Sequence, residues 1–367
     1  MSGYTHAKNM KTKMIGLKNA FPETRCHFIT ILVFGFVLAS FPAFKAKAGC
    51  GNIFVVCVGQ VGQNNGQISE LTASGGISTF ASLGNPYGLA FDGNGNLFAG
   101  DETGTIYKYA PDGSRTTFVS GLGNALLGLA FTNGYLYADQ ATYPNTGRIY
   151  KFASDGSEST FASDLTTPIR MVFNSGYLYV ADAGAGAIYK YAANGSRTVF
   201  ASGLTPECLA VDANGNLFEG DGLGCIYKFA SNGSRTIFAS GLGANTIAGL
   251  TFDSSGNLFA SDYNAGNVCE FATNGSKSTF VTGLSGPLGL AFLPVVPPVL
   301  TVKPTNSNSV VVSWSSFSTV FTVQTNTDFT TTNWVNSGYP ISISNGTNES
   351  TIIPVPPMNQ LFFRLNQ

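Results

Sequence analysis

One segment of this chain recurs about every 40 residues, and that recurrence limits the fold more than any other property. Aligned on the hydrophobic residue closing each "GLAF"-like run, the copies fall at Phe91, Phe131, Phe173, Val211, Phe252 and Phe292, with intervals of 40, 42, 38, 41 and 40 residues. Each copy holds four short apolar runs separated by turn residues. Between Gly88 and Ser120 they read "GLAFD", "GNLFAGD", "TIYKYA" and "SRTTFVS". A four-strand unit cannot bury both of its sheet faces alone, so successive units must stack. Four strands per repeat at this period predict the blades of an all-β propeller.

The turns agree with this reading. "PDGS", "SDGS", "ANGS", "SNGS" and "TNGS" place Asp-Gly or Asn-Gly between the third and fourth runs. Either pair accepts the positive φ angles of a tight hairpin. Asn194, Asn232 and Asn274 also begin Asn-Gly-Ser sequons, yet Asp112 and Asp155 occupy the same place in other copies, so hairpin chemistry accounts for them.

The two ends of the array predict how it closes. After residue 48 the chain opens on "GNIFVVCVG", a second run with no first run before it, and the array ends on "PLGLAF", a first run with nothing after it. Joining the two completes a sixth blade and removes the open edges of the ring. The expectation is a six-bladed β-propeller over residues 49–293, closed by N- and C-terminal strands of one blade. A Pro-rich linker at 294–298 follows. The alternating runs of residues 299–367, such as "SVVVSW" and "QLFFRL", predict a small C-terminal β-sandwich resembling fibronectin-III-like modules, with Trp314 and Trp334 in its core.

Residues 1–48 carry seven of the 19 Lys and Arg and one of the 20 acids. The apolar run from His27 to Phe44 follows this basic segment and leads into "KAKAGC", where Ala46 and Ala48 form a small-x-small pattern. These features predict a signal peptide cleaved near Ala48, no membrane span in the mature form, and a secreted, periplasmic or cell-surface location. Beyond residue 48 there are 12 basic and 19 acidic residues, a net charge of −7 with no basic cluster, which argues against nucleic acid. Five cysteines remain there, an odd number without C-x-x-C spacing, so neither a disulfide framework nor a zinc site is indicated. His6 and His27 both precede the predicted cleavage point, which leaves no histidine for Ser-His-Asp or Cys-His catalysis.

"GLAFDGNGNLFAGDETGTIYKY" and its copies resemble the NHL repeat and, more loosely, the six-bladed propellers of the gluconolactonase and strictosidine-synthase-like group. The resemblance implies the fold; propellers of this kind host hydrolases, ligand binders and scaffolds alike. For a gluconolactonase-like enzyme it implies Ca²⁺ at the channel mouth, polarising a carbonyl or activating water. Two departures weigh against that reading. Ser285, Gly286 and Pro287 stand where that family opens a first strand with Glu-Gly-Pro, and Pro168 is followed by Ile169 and Arg170 rather than Asn-Gly.

Carboxylates are the remaining candidates for chemistry. Asp101, Asp139, Asp182, Asp221 and Asp262 are expected to end the second strand of successive blades, with Cys57 in their place in the remaining blade. An Asp followed by a Gly-containing turn is expected to accept that turn's amides; as metal ligands, Asp182, Asp221 and Asp262 are the weaker candidates. The starts of the first strands depart from the repeat. One position reads Tyr87, Leu127, Ile169, Glu207, Ala248 and Leu288 around the ring, and the next reads Gly88, Gly128, Arg170, Cys208, Gly249 and Gly289. Arg170 and Glu207 put opposite charges at the expected channel mouth, either paired directly or holding a ligand between them. The reading is therefore a non-enzymatic propeller binding a small polar ligand or an extracytoplasmic protein through Tyr87, Arg170, Glu207 and Asp221, without a cofactor. The alternative is the Ca-dependent lactonase.

Overall fold

The computed structural model describes residues 31–34, 37–39, 51–59, 65–111, 113–141, 146–294, 301–304, 310–315, 322–326, 333, 335–338, 340–344, 347–352 and 361–366. All regular structure in them is β, and no helix among the described residues is long and apolar enough to cross a membrane.

Six four-stranded antiparallel sheets form the propeller. Blade 1 combines Gly51–Cys57, Gln67–Leu71 and Ile77–Ser82 with Pro287–Pro294, which pairs with Gly51–Cys57 as the innermost strand. The two ends of the repeat array thus close one blade, as the sequence predicts. Blades 2 to 6 follow in chain order, with innermost strands Pro86–Phe91, Leu129–Thr132, Pro168–Asn174, Pro206–Val211 and Ile247–Phe252. Each innermost strand touches those of both neighbours, including Pro287–Pro294 against Pro86–Phe91 and Ile247–Phe252, so the ring is complete.

Aromatic residues fixed by the repeat fill the space between and within blades. The Phe of each fourth strand lies at a β-bulge between third and fourth strands and turns into the core against the second strand of its own blade. Phe98–Phe118, Tyr137–Phe161, Tyr179–Phe200 and Phe218–Phe238 meet edge-to-face with centroids 5.1, 5.2, 5.1 and 5.1 Å apart. The residue closing "GLAF" bridges to the preceding blade, as in Phe54–Phe91 and Phe218–Phe252 at 5.0 and 4.9 Å. The lysines of the "IYK" runs lie over rings of their own blade, with Lys151 4.0 Å from the Tyr135 centroid and Lys190 3.9 Å from that of Tyr177.

Beyond the propeller, Thr301–Pro304, Val310–Ser315, Thr347–Ile352 and Ser342–Ser344 form a four-stranded sheet in which Trp314 is buried. A second sheet joins Thr322–Asn326, Val335–Asn336 and Leu361–Asn366 to Ile31–Phe34 and Val37–Ala39. The chain divides into two compact units: residues 47–320 with 339–353, and residues 1–46 with 321–338 and 354–367. The segment expected as a single 299–367 sandwich contributes strands to both. Trp334, Ala48 and the linker residues 295–298 lie outside the described residues.

Candidate functional site

The mouth of the channel is built by a second β-bulge, repeated in the innermost strands. In blade 5, Pro206 pairs with Asp221 and Cys208 with Gly220, which leaves Glu207 as the extra residue. Tyr87, Ile169 and Ala248 hold the same place in blades 2, 4 and 6, and Leu288 in blade 1. A bulge re-aims the side chain it carries. These residues, and Leu127 at the corresponding place in blade 3, are half-buried, while the residues before them are buried. The strand start that departs from the repeat in sequence is therefore a ring of side chains opening onto the mouth.

The next position explains the glycines. A Cβ on Gly289 would lie 2.5 Å from the Tyr87 carbonyl oxygen, and one on Gly249 2.4 Å from that of Leu288. Neighbouring innermost strands approach too closely there for a side chain. Blades 4 and 5 break the rule with Arg170 and Cys208.

Arg170 reaches into the channel. Its Nη1 donates to the carbonyl oxygens of Leu127 and, at 2.8 Å, Ile169, and its Nη2 donates to that of Ala248 at 3.1 Å. The guanidinium thus ties blades 3, 4 and 6 together across the channel. Burial pulls its pKa down, against the attraction of Asp139, Cys208 and Glu207. The ion pairs among the described residues are Arg197–Asp164 at 2.9 Å and Lys228–Asp212 at 3.6 Å, so Arg170 and Glu207 are coupled through space without direct contact. Among the described residues, no hydrogen bond or ion pair reaches the Glu207 carboxylate. Burial raises its pKa and Arg170 opposes the rise. Its Oε1 lies beside Gly222, next to the Asn245 side chain. Tyr87 stands on the opposite blade of the six; burial, with Glu102 and Tyr263 nearby, raises its pKa.

The strand-ending aspartates are held by nearby backbone amides, of the turn that follows each and, for Asp182, also of the segment leading into the first strand. Asp101 accepts from the amides of Thr103 and Thr105, both at 2.9 Å, and Asp221 from those of Leu223 and Cys225 at 3.1 and 2.7 Å. Asp182 accepts from the amides of Thr166, Thr167 and Ala185, and Asp262 from that of Ala265. Asp221 therefore belongs to the turn beside the mouth, and Tyr87 and Glu207 to the ring itself. Among the described residues, no three of His, Cys, Asp and Glu gather within reach of one metal ion.

Asp139 corrects the sequence alignment. Ala138 pairs with Leu129 as Ala99 pairs with Leu89, so Gln140, not Asp139, corresponds to the turn-capping Asp101. Asp139 lies one residue deeper, opposite Gly128, whose amide donates to its Oδ1 at 2.7 Å. Its Oδ2 is buried without a partner, and a Cβ at position 128 would lie 2.3 Å from it, so only a glycine leaves it room. Burial drives its pKa up to about 7, opposed by the Gly128 amide and by Arg170. Glu219 is a carboxylate that sequence reasoning passed over. It is fully buried, both oxygens lack partners, and burial with Asp221 beside it raises its pKa to about 8. The signal was present: "NLFEGD" differs from "NLFAGD" by that glutamate.

No family model and no curated protein matches the chain. Solved structures do resemble it. A chain of a nidogen/laminin complex is 18% identical over 66% of this chain and 98% of its own, with a TM-score of 0.58. A streptogramin B lyase is 14% identical over 78% and 94%, with a TM-score of 0.50. A gluconolactonase from Xanthomonas campestris is 13% identical over 73% and 95%, with a TM-score of 0.48. At these identities the likeness is one of fold alone.

Proposed function

We propose that this protein is an exported, non-enzymatic propeller that binds a small polar ligand, or a side chain of an extracytoplasmic partner protein, at the channel mouth. The observation that carries this reading is Glu207: a half-buried carboxylate on a bulge facing the mouth, reached by no hydrogen bond or ion pair among the described residues. A desolvated carboxylate without a partner costs stability, and the other blades fold with Tyr, Leu, Ile or Ala in its place. The fold has no need of the charge, so recognition accounts for it. Export is supported by the basic segment, apolar run and small-x-small pattern of the first 48 residues.

A thermal-shift screen of small polar compounds, repeated on Glu207→Gln, tests the reading. Compounds that stabilise the native protein are expected to lose about tenfold in affinity on the variant, roughly 1.4 kcal/mol, while its unliganded melting temperature stays close to native. Ligands that bind both proteins equally would remove Glu207 from the site.

A further inference from the structure

We infer that the ligand group held at this mouth is an alkylammonium, a cationic amine on a short aliphatic body. The inference rests on the mouth-binding reading and deepens it. The obvious expectation from sequence is a ligand held between Arg170 and Glu207, with an anionic group on the arginine. The geometry removes that expectation. Arg170 uses three of its five N–H donors on the carbonyls of Leu127, Ile169 and Ala248, in three different blades, including both on Nη1, so a two-point grip on an anion through its two terminal nitrogens would have to break one of these bonds.

The positive charge of Arg170 is also already matched. Asp139, fully buried with Oδ2 unpartnered, couples to it from one side and Glu207 from the other. Above about pH 7, where Asp139 is ionised, two carboxylates thus flank one guanidinium, and the field at the ring favours a further cation. The repeat lysines Lys108, Lys151, Lys190 and Lys228 are engaged with aromatic rings of their own blades.

The rest of the ring suits the body of such a ligand. Leu127, Ile169, Ala248 and Leu288 give an aliphatic wall, and the Tyr87 ring stands on the blade opposite Glu207. Apolar walls lower the local dielectric and strengthen a carboxylate–ammonium contact, and an aromatic ring adds attraction for a cation where it meets one.

Three probes sharing one aliphatic body separate the possibilities: hexylammonium, hexanol and hexanoate. They are titrated into the full chain by calorimetry, with backbone amide shifts of Tyr87, Leu127, Glu207, Ala248 and Leu288 reporting the place of binding. Hexylammonium is expected to bind about tenfold more tightly than hexanol, hexanoate more weakly than either, and Glu207→Gln to erase the ammonium margin without shifting the unliganded spectrum beyond its neighbours. Hexanoate binding as tightly as hexylammonium, or an ammonium preference that survives Glu207→Gln, overturns the inference. If hexanol and hexylammonium shift the ring amides equally, the cation preference is wrong while the mouth remains a binding site. If none of the three shifts them, the alkylammonium inference fails; a thermal-shift screen with no Glu207-dependent ligand is what would sink the mouth-binding reading itself.

Discussion

Blades 2 and 5 are nearly the same sequence in two places, and their few differences include both residues at the bulge where the ring meets its channel. Pro86–Asp101 and Pro206–Asp221 share their register, their bulge and their Asp-Gly-Asn or Asp-Ala-Asn turn. Asp92 and Asp212 accept the same amides, from Asn94 and Asn96 at 2.9 and 2.8 Å and from Asn214 and Asn216 at 3.0 and 2.8 Å. Against that identity stand Tyr87, Gly88, Phe91, Gly93 and Ala99 in one blade and Glu207, Cys208, Val211, Ala213 and Glu219 in the other. The backbone is thus set by residues packed against neighbouring blades, and it presents the same bulge whatever side chain the bulge carries. Variation there leaves the fold intact and changes only what the mouth displays.

The comparison holds only while the ring is closed, and opening it should have the largest effect. Leu290 and Phe292 pack with Ile53, Val55, Phe259 and Val281 between blades 6 and 1. A chain ending at Gly286 lacks the innermost strand of blade 1 and exposes this cluster, whereas one ending at Pro294 retains it. The shorter chain is expected to lose its cooperative thermal transition and the longer one to keep it. Coincident melts would show that each blade stands without its neighbours, and blades 2 and 5 would then be alike for some other reason.

Glu219 sharpens the comparison at an intermediate size, because Ala99 is its counterpart in the same buried place. The folded pKa of about 8 exceeds the ordinary 4.5, so the folded protein holds this proton more firmly than the unfolded chain does. Stability therefore falls as pH rises from about 4.5 to about 8, and the full penalty is present above that window. Glu219→Ala removes the penalty and loses some packing. It is expected to be more stable than the native protein by about 2–4 kcal/mol at alkaline pH and no more stable in acid. Denaturant unfolding at pH 5, 7 and 9 reads the difference. Asp139 titrates in the same direction but is present in both proteins, so it cancels. A gap that does not change with pH would mean that Glu219 is ionised throughout.

Much of the ring was legible because its causes are periodic. The four runs per unit, the Asn-Gly and Asp-Gly hairpins and the unmatched first and second runs at the ends each follow from a local rule, and the strand order agrees with them. The bulge was not legible. It depends on which residues face each other across two strands, and no single strand records that pairing. For this reason Asp139 was counted with the turn caps: "YADQ" contains both a buried acid and the residue that replaces the cap, and only the register separates them. The fate of Arg170 was hidden for a related reason. Its partners are backbone carbonyls 43 and 78 residues away, and carbonyls leave no mark in sequence.

The smallest effect on stability, and the sharpest test of the comparison, comes from exchanging the two bulge residues, Tyr87→Glu with Glu207→Tyr. Both side chains are half-buried at the mouth rather than packed between blades, and both sit on bulges of the same register. The exchanged protein is therefore expected to melt within about 1 kcal/mol of the native one, the scatter of substitutions outside the packed core. The charge, however, moves to the opposite side of the ring, away from the Asn245 side chain and beside Glu102, where like charge opposes it. Affinity for any ligand that depends on Glu207 should fall about as far as in Glu207→Gln, because carboxylate and aromatic ring survive in number but not in place. A large loss of stability would show that the two bulges are packed differently, so that the blades are copies in sequence only. Undiminished binding would show that the mouth recognises total charge and not the position of Glu207.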